Sequence, residues 1–126
     1  MKDGDLEWPT AARRSRILRA AHDIHTLLAP MRQKLSDLEI QRALGTLSGW
    51  ARRGDVLTKT FTFDRFADGI AFVDRVAKAA DAMDHHPDID IRYTKITVAL
   101  STHDAGGITQ SDLSLAETIE GLAVRA

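Results

Sequence analysis

Between Ile89 and Leu100 the apolar residues change parity once. Ile89, Ile91 and Tyr93 alternate with Asp90 and Arg92, whereas Ile96, Val98 and Leu100 alternate with Thr97 and Ala99. Successive side chains of a strand point to opposite faces, so one continuous strand cannot keep both sets on one side. The pattern predicts two strand segments meeting near Thr94-Lys95 through a bulge or a tight turn. A second stretch alternates in the same manner, with Leu57, Phe61 and Phe63 on one face and Thr58, Thr60 and Thr62 on the other. Gly54-Asp55 before it is a hairpin signal, so a further strand is expected upstream. One apolar and one polar face per strand describes an antiparallel sheet with a single buried side.

Helical periods surround these strands. Asp64 is expected to cap a long helix reaching about Asp84. Phe66, Ile70, Val73, Ala77 and Ala80 form one apolar stripe on it, and Phe72, Val76, Ala79 and Met83 form an adjacent one. Together they make a face wide enough for a sheet and a second element or subunit. Ser36 followed by Glu39 is a capping box opening a short helix, with Leu38, Ala43, Leu44 and Leu47 on its apolar side and Gly49 closing it. Thr109 is expected to cap a final helix that carries Asp112 at its third position and buries Leu113, Ala116, Ile119 and Ala123. The expected order is helix, strand, strand, helix, strand, strand, helix.

Residues 1–34 read differently from the domain expected over 35–126. Ile17, Ala21, Ile24 and Leu28 give Ala11–Leu28 a helical period, ended by Pro30, and Arg13, Arg14, Arg16 and Arg19 lie near its start. An amphipathic helix docked on the domain is the expectation, with His22 and His25 as surface residues and Met31 as an alternative start. The 126 residues suit one domain. A net charge of −1 supplies no general attraction to nucleic acid or anionic membranes. The chain has no cysteine, which excludes disulfides, thiolate nucleophiles and cysteine-ligated zinc. No apolar run approaches the ~18 residues of a membrane span. The acidic start Met1–Glu7 lacks the apolar stretch of a signal peptide, so a cytoplasmic location is expected.

Chemistry concentrates in one window. His85, His86 and His103 fall within 19 residues, beside Asp81, Asp84 and Asp104. Imidazole, with an unperturbed pKa near ~6.5, exchanges protons at neutral pH. Asp81 and His85 are four apart, a spacing that lets side chains touch on a helix. Pro87 pushes His86 out of the helical region, so both imidazoles can face one cavity. His103 follows the last strand and can close onto them. Asp81, His85, His86 and His103 could also serve as a metal-ligand set, but adjacent histidines before a proline rarely hold one ion together, and proton transfer is the favoured reading. Asp112 reads as a carboxylate of a helix N-terminus, and Trp50 and Tyr93 as core or pocket wall.

These residues resemble the pterin-4a-carbinolamine dehydratase family, also called the dimerisation cofactor of a hepatocyte transcription factor. Its signature is matched by Asp81, His85, His86, Pro87, Tyr93, His103 and Asp112 at permitted spacings. Leu47-Ser48-Gly49-Trp50, Phe61-Thr62-Phe63 and Leu100-Ser101-Thr102-His103-Asp104 extend the likeness, which covers roughly residues 35–122. The resemblance implies an α+β fold of two layers, a four-stranded antiparallel sheet with helices on one face. It implies an enzyme without cofactor or metal that removes water from 4a-hydroxytetrahydropterin to give quinonoid dihydropterin, recycling the pterin of an aromatic amino acid hydroxylase. His85 and His103 are the implied acid/base pair. His86 would position the pterin and share in proton transfer, and Asp81, where many members carry Glu, would orient or charge His85, which makes all four catalytic residues. Asp84, Ser101, Thr102, Trp50 and Pro87 would line the substrate site. A homodimer or homotetramer and a pathway link to a hydroxylase are also implied. The competing reading within the same fold is a non-catalytic binding protein, a transcriptional coactivator or an assembly chaperone.

Overall fold

The computed structural model describes residues 32–124. The helix expected over Ala11–Leu28, with His22 and His25, lies outside them. Helix α1 spans Asp37–Leu44, strand β1 Ala51–Arg53 and strand β2 Val56–Thr62. Helix α2 follows over Phe66–Met83, then β3 over Asp88–Arg92, β4 over Lys95–Leu100, a 3-10 turn over His103–Ala105, and α3 over Gln110–Val124. The strands form one antiparallel sheet in the order β1-β2-β4-β3. This is the α+β architecture and the element order expected from the sequence.

The register explains the parity change. Leu57 pairs with Leu100, Phe61 with Ile96, Ile89 with Val98 and Ile91 with Ile96, so every apolar set lands on one face. The change is absorbed by a two-residue turn, Tyr93-Thr94, between paired Arg92 and Lys95. Tyr93 carries the positive φ of 52° that this turn uses. Its ring stacks on Phe66, with centroids 6.4 Å apart and planes 15° from parallel. On the opposite face Thr60 and Thr97 share a hydroxyl hydrogen bond of 2.8 Å, as a wet face allows.

The buried face of the sheet carries α2 and α3. Leu57, Phe61, Ile96, Val98 and Leu100 meet Phe72, Val76 and Ala80 of α2 and Leu115, Ala116 and Ile119 of α3. Phe72 touches both Phe61 and Phe63, at centroid distances of 4.9 and 5.1 Å. Gly69 lies close on the sheet, where a Cβ would stand 3.4 Å from the Ile96 side chain.

Four local expectations are corrected. Arg65, not Asp64, is the N-cap residue of α2, and no side chain caps it. Of the two stripes on α2, one seam is fully buried, Gly69, Phe72, Val76 and Ala80, while Phe66 is 48% exposed and Ala77 is exposed. The sheet and α3 cover that seam fully and pack Val73, Ala79 and Met83 beside it in part. In α1 the capping box forms, with Ser36 Oγ accepting from Glu39 N at 3.1 Å and Glu39 Oε1 accepting from Ser36 N at 2.9 Å. Those bonds favour the ionised carboxylate and hold Glu39 below its usual pKa. The buried residue of α1 is Ile40 rather than Leu38, which is 53% exposed. The helix ends before Gly45, and Gly49, at φ 85°, serves the turn into β1. No helix among the described residues is long and apolar enough to cross a membrane.

Candidate active site

The site is built where α2 ends. Asp84 adopts the left-handed conformation at φ 50° and ψ 44°, a region that Asp tolerates better than most residues. Asp84 N donates to Asp81 O at 3.2 Å and His85 N donates to Ala80 O at 3.1 Å. These two bonds are a Schellman closure. They carry His85 off the helical spiral, so the four-residue spacing to Asp81 no longer brings the two side chains together. Asp81 Oδ1 instead meets His86 Nε2 at 2.9 Å, and both side chains are exposed. The expectation that Asp81 orients His85 is therefore corrected.

The partner of His85 is Asp112, 27 residues away. His85 is 7% exposed and Asp112 fully buried, and His85 Nε2 lies 2.5 Å from Asp112 Oδ1. The other carboxylate oxygen, Oδ2, accepts from Thr109 N and from Thr102 Oγ1, each at 2.8 Å. The Thr109 hydroxyl in turn donates to Thr102 Oγ1 at 2.8 Å. A carboxylate offers only acceptors, so His85 Nε2 carries the proton and Nδ1 is the ring nitrogen Asp112 leaves unengaged. Asp112 does hold the start of α3, as its position implied, and it uses its second oxygen to fix a buried imidazole.

His103 comes from the other side. It opens a tight loop after β4, closed by Thr102 N donating to Gly107 O at 2.9 Å and Gly106 N donating to Thr102 O at 3.0 Å. Gly106 supplies the φ of 73° that ends the 3-10 turn. An open cleft of about 250 Å³ results, and it brings His85, His86 and His103 together with Asp84, Ser101 and Thr102. Asp104 and Arg32 complete its lining. The Ser101 hydroxyl donates to Asp55 O at 2.7 Å, and that of Thr102 is engaged by Asp112. Both line the cleft with their hydroxyls already partnered.

Three residues expected at the site stand elsewhere. Trp50 is buried, and its indole N–H donates to Glu120 Oε2 at 2.7 Å, beside Lys59 Nζ at 2.5 Å from the same oxygen. It ties the loop before β1 to α3 and does not line the cleft. Asp81 faces solvent, paired with His86. Pro87 is half-buried behind His86 and is not among the lining residues. Sequence reasoning missed the pairing of Asp112 with His85 and the place of Arg32. The Thr109-x-x-Asp112 spacing signalled a cap but not its second partner. Among the described residues no group of three or more histidines or carboxylates is arranged to hold a metal ion.

What the arrangement offers chemically is proton transfer. A buried carboxylate behind an imidazole fixes its tautomer and orientation and faces the charge that forms when the ring takes a proton. Two further imidazoles share the same open cleft, so a proton can be delivered at one point and removed at another.

Residues 33–122 match the family model described as pterin 4 alpha carbinolamine dehydratase. A protein of Roseiflexus sp., provisionally named pterin-4-alpha-carbinolamine dehydratase, is 53% identical over 90 residues, covering 71% of this chain and 97% of the relative. A protein of Mycobacteroides abscessus, provisionally given the same name, is 56% identical over 86 residues, covering 68% and 92%. A solved structure from Brucella melitensis, described as a transcriptional coactivator/pterin dehydratase, superposes with a TM-score of 0.70 at 30% identity, covering 72% of this chain and 99% of that one. A second, a pterin dehydratase-like protein described as a RuBisCO assembly factor in the alpha-carboxysome, gives 0.52 at 26% identity, covering 60% and 89%.

Proposed function

The chain belongs to the pterin 4 alpha carbinolamine dehydratase family, and we propose that it dehydrates a 4a-hydroxytetrahydropterin by histidine acid/base catalysis. The observation that carries this reading is the buried His85–Asp112 pair opening onto a cleft that also holds His86 and His103. In the reaction the C4a–O bond breaks and the departing oxygen takes a proton. N5 loses its proton, and its electron pair forms the N5=C4a bond of the quinonoid dihydropterin, so one water leaves. Each step needs an acid or a base near neutral pKa, which imidazoles provide.

Asp112 fixes the proton on His85 Nε2, so Nδ1 is the basic position turned to account, and His85 takes the N5 proton. His103 is held on the opposite loop and protonates the leaving hydroxyl. His86, exposed and paired with Asp81, positions the ring. Asp84 and the Ser101–Thr102 backbone form the adjoining walls. The pterin product would return to an aromatic amino acid hydroxylase.

A binding role is the second reading. It is favoured by the two solved relatives, one described as a coactivator as well as a dehydratase and the other as an assembly factor. Rapid-mixing measurement of dehydration of enzymatically generated 4a-hydroxytetrahydropterin separates the two. Turnover by the wild type that His103→Ala abolishes supports the enzyme. Wild-type protein that adds nothing to the uncatalysed rate rejects it in favour of binding.

A further inference from the structure

Arg32 lies one residue before the family match, which begins at residue 33, yet it is part of the cleft. Its place is set by backbone pairing. Lys34 bridges to Thr109, and Leu35 N donates to Ile108 O at 2.9 Å. Thr109 is also the residue whose N–H holds Asp112 Oδ2, and Asp112 holds His85. The segment carrying Arg32 and the buried histidine are thus anchored to one stretch of chain, the entry to α3.

The guanidinium is only partly partnered there. Nη2 donates to Asp84 O at 3.3 Å, the carbonyl of the left-handed residue that ends α2. Nε is buried and has no hydrogen-bond partner. Buried donors without acceptors are uncommon, and arginine carries a fixed fork of donors suited to a planar acceptor. Arg75 also has an unpartnered buried Nε, but it packs against α3 through Leu122 O and does not line this cleft. Among the described residues only Arg32 brings a guanidinium to the cleft with the histidines, and with Nε enclosed its η nitrogens are the donors that face a ligand there.

We infer that Arg32 is a substrate-binding residue of this chain, its guanidinium donating to the carbonyl edge of the bound pterin. The inference rests on the proposed dehydratase reading and names a contact within it. In the substrate the C4 carbonyl is bonded to C4a, the carbon that loses hydroxyl. A donor sharing the cleft with His85 and His103 therefore stands among the groups that serve that end of the ring. A guanidinium offers a fixed fork of donors, so the contact acts on binding.

Steady-state dehydration by wild type, Arg32→Gln and Arg32→Lys tests this, with thermal melts of all three. The expected result is a KM raised about tenfold or more in Arg32→Gln, kcat within about threefold of wild type, and unchanged melting temperatures. Arg32→Lys, which keeps the charge and stem but loses the planar fork, should recover only part of the KM. A merely structural arginine would lower the melting temperature and leave KM alone. Unchanged KM in both variants, with the wild type turning over substrate, overturns the inference and leaves the dehydratase reading standing. Wild-type protein that neither turns over the carbinolamine nor binds 7,8-dihydrobiopterin by calorimetry rejects both together. If it binds without turnover, the same variants are read by their Kd, and an Arg32→Gln Kd within twofold of wild type rejects the inference.

Discussion

Asp112→Asn is the most searching perturbation of this site. The side chains are isosteric, so no cavity opens. The carboxylate has three short partners: His85 Nε2 at 2.5 Å and Thr109 N and Thr102 Oγ1 at 2.8 Å. Two of these, on Oδ2, are obligate donors in this network. The amide oxygen of Asn must take that position, because an amide NH2 there would leave Thr109 N–H buried and unpaired. The NH2 then faces His85 Nε2, which can accept only if the ring proton moves to Nδ1. The substitution thus keeps the geometry and reverses the tautomer. Charge-assisted bonds contribute about 1.5–3 kcal/mol and neutral ones about 0.5–1.5, so three weakened bonds cost roughly 3 kcal/mol. For a domain of this size that lowers the melting temperature by about 12 °C or more. A base whose accepting nitrogen is already protonated should lose about 100- to 10,000-fold in turnover. Thermal melts, rapid-mixing dehydration kinetics and 15N NMR of the imidazole read the three effects separately. Turnover within threefold of wild type, with NMR showing the proton on Nδ1, would refute the role given to His85 Nδ1. An unchanged melting temperature would refute the energetic reading of the network.

His103 is exposed on its loop, so His103→Ala should leave the melting temperature within about 2 °C while reducing turnover at least ~100-fold; His85→Ala should lose as much with a clear loss of stability, and wild-type rates in either would remove that residue from the mechanism. Ser36→Ala removes one half of the capping box and should cost about 1 kcal/mol in denaturant unfolding. Glu39 has its pKa depressed in the folded state, so its contribution is present above the unfolded pKa and fades as pH falls through the lower folded value. Wild type should therefore lose stability relative to Glu39→Gln on acidification below about pH 4.5, and parallel pH profiles would count against the cap. Exposed Phe66, Ile91 and Tyr93 form an apolar area around the β3–β4 turn, and light scattering should find an oligomer; a 13.9 kDa monomer at micromolar concentration would refute that.

Local chemistry was legible in the chain itself. Alternation at 57–63 and 89–100 reports strands because the side-chain period of a strand is two whatever surrounds it, and the register later placed Leu57, Phe61, Ile96 and Leu100 on one face as that alternation implied. Ser36 and Glu39 announced their cap because both partners lie within one turn of helix. His85, His86 and His103 were recognisable as a group from their spacing and their likeness to a family, and the cleft does contain all three. The partners of these groups were not legible. Asp81 is four residues from His85, but one left-handed residue, Asp84, breaks the helical spacing and sends His85 to Asp112. Asp tolerates that conformation but does not demand it, so the sequence does not announce where the helical spacing breaks. Trp50 joined the core because Glu120, seventy residues on, accepts its indole proton. Arg32 joined the cleft because Lys34 pairs with Thr109. Short-range periodicity and capping are written in neighbouring residues, whereas which carboxylate stands behind an imidazole depends on contacts between elements far apart in the chain, and those exist only once the sheet and helices have closed.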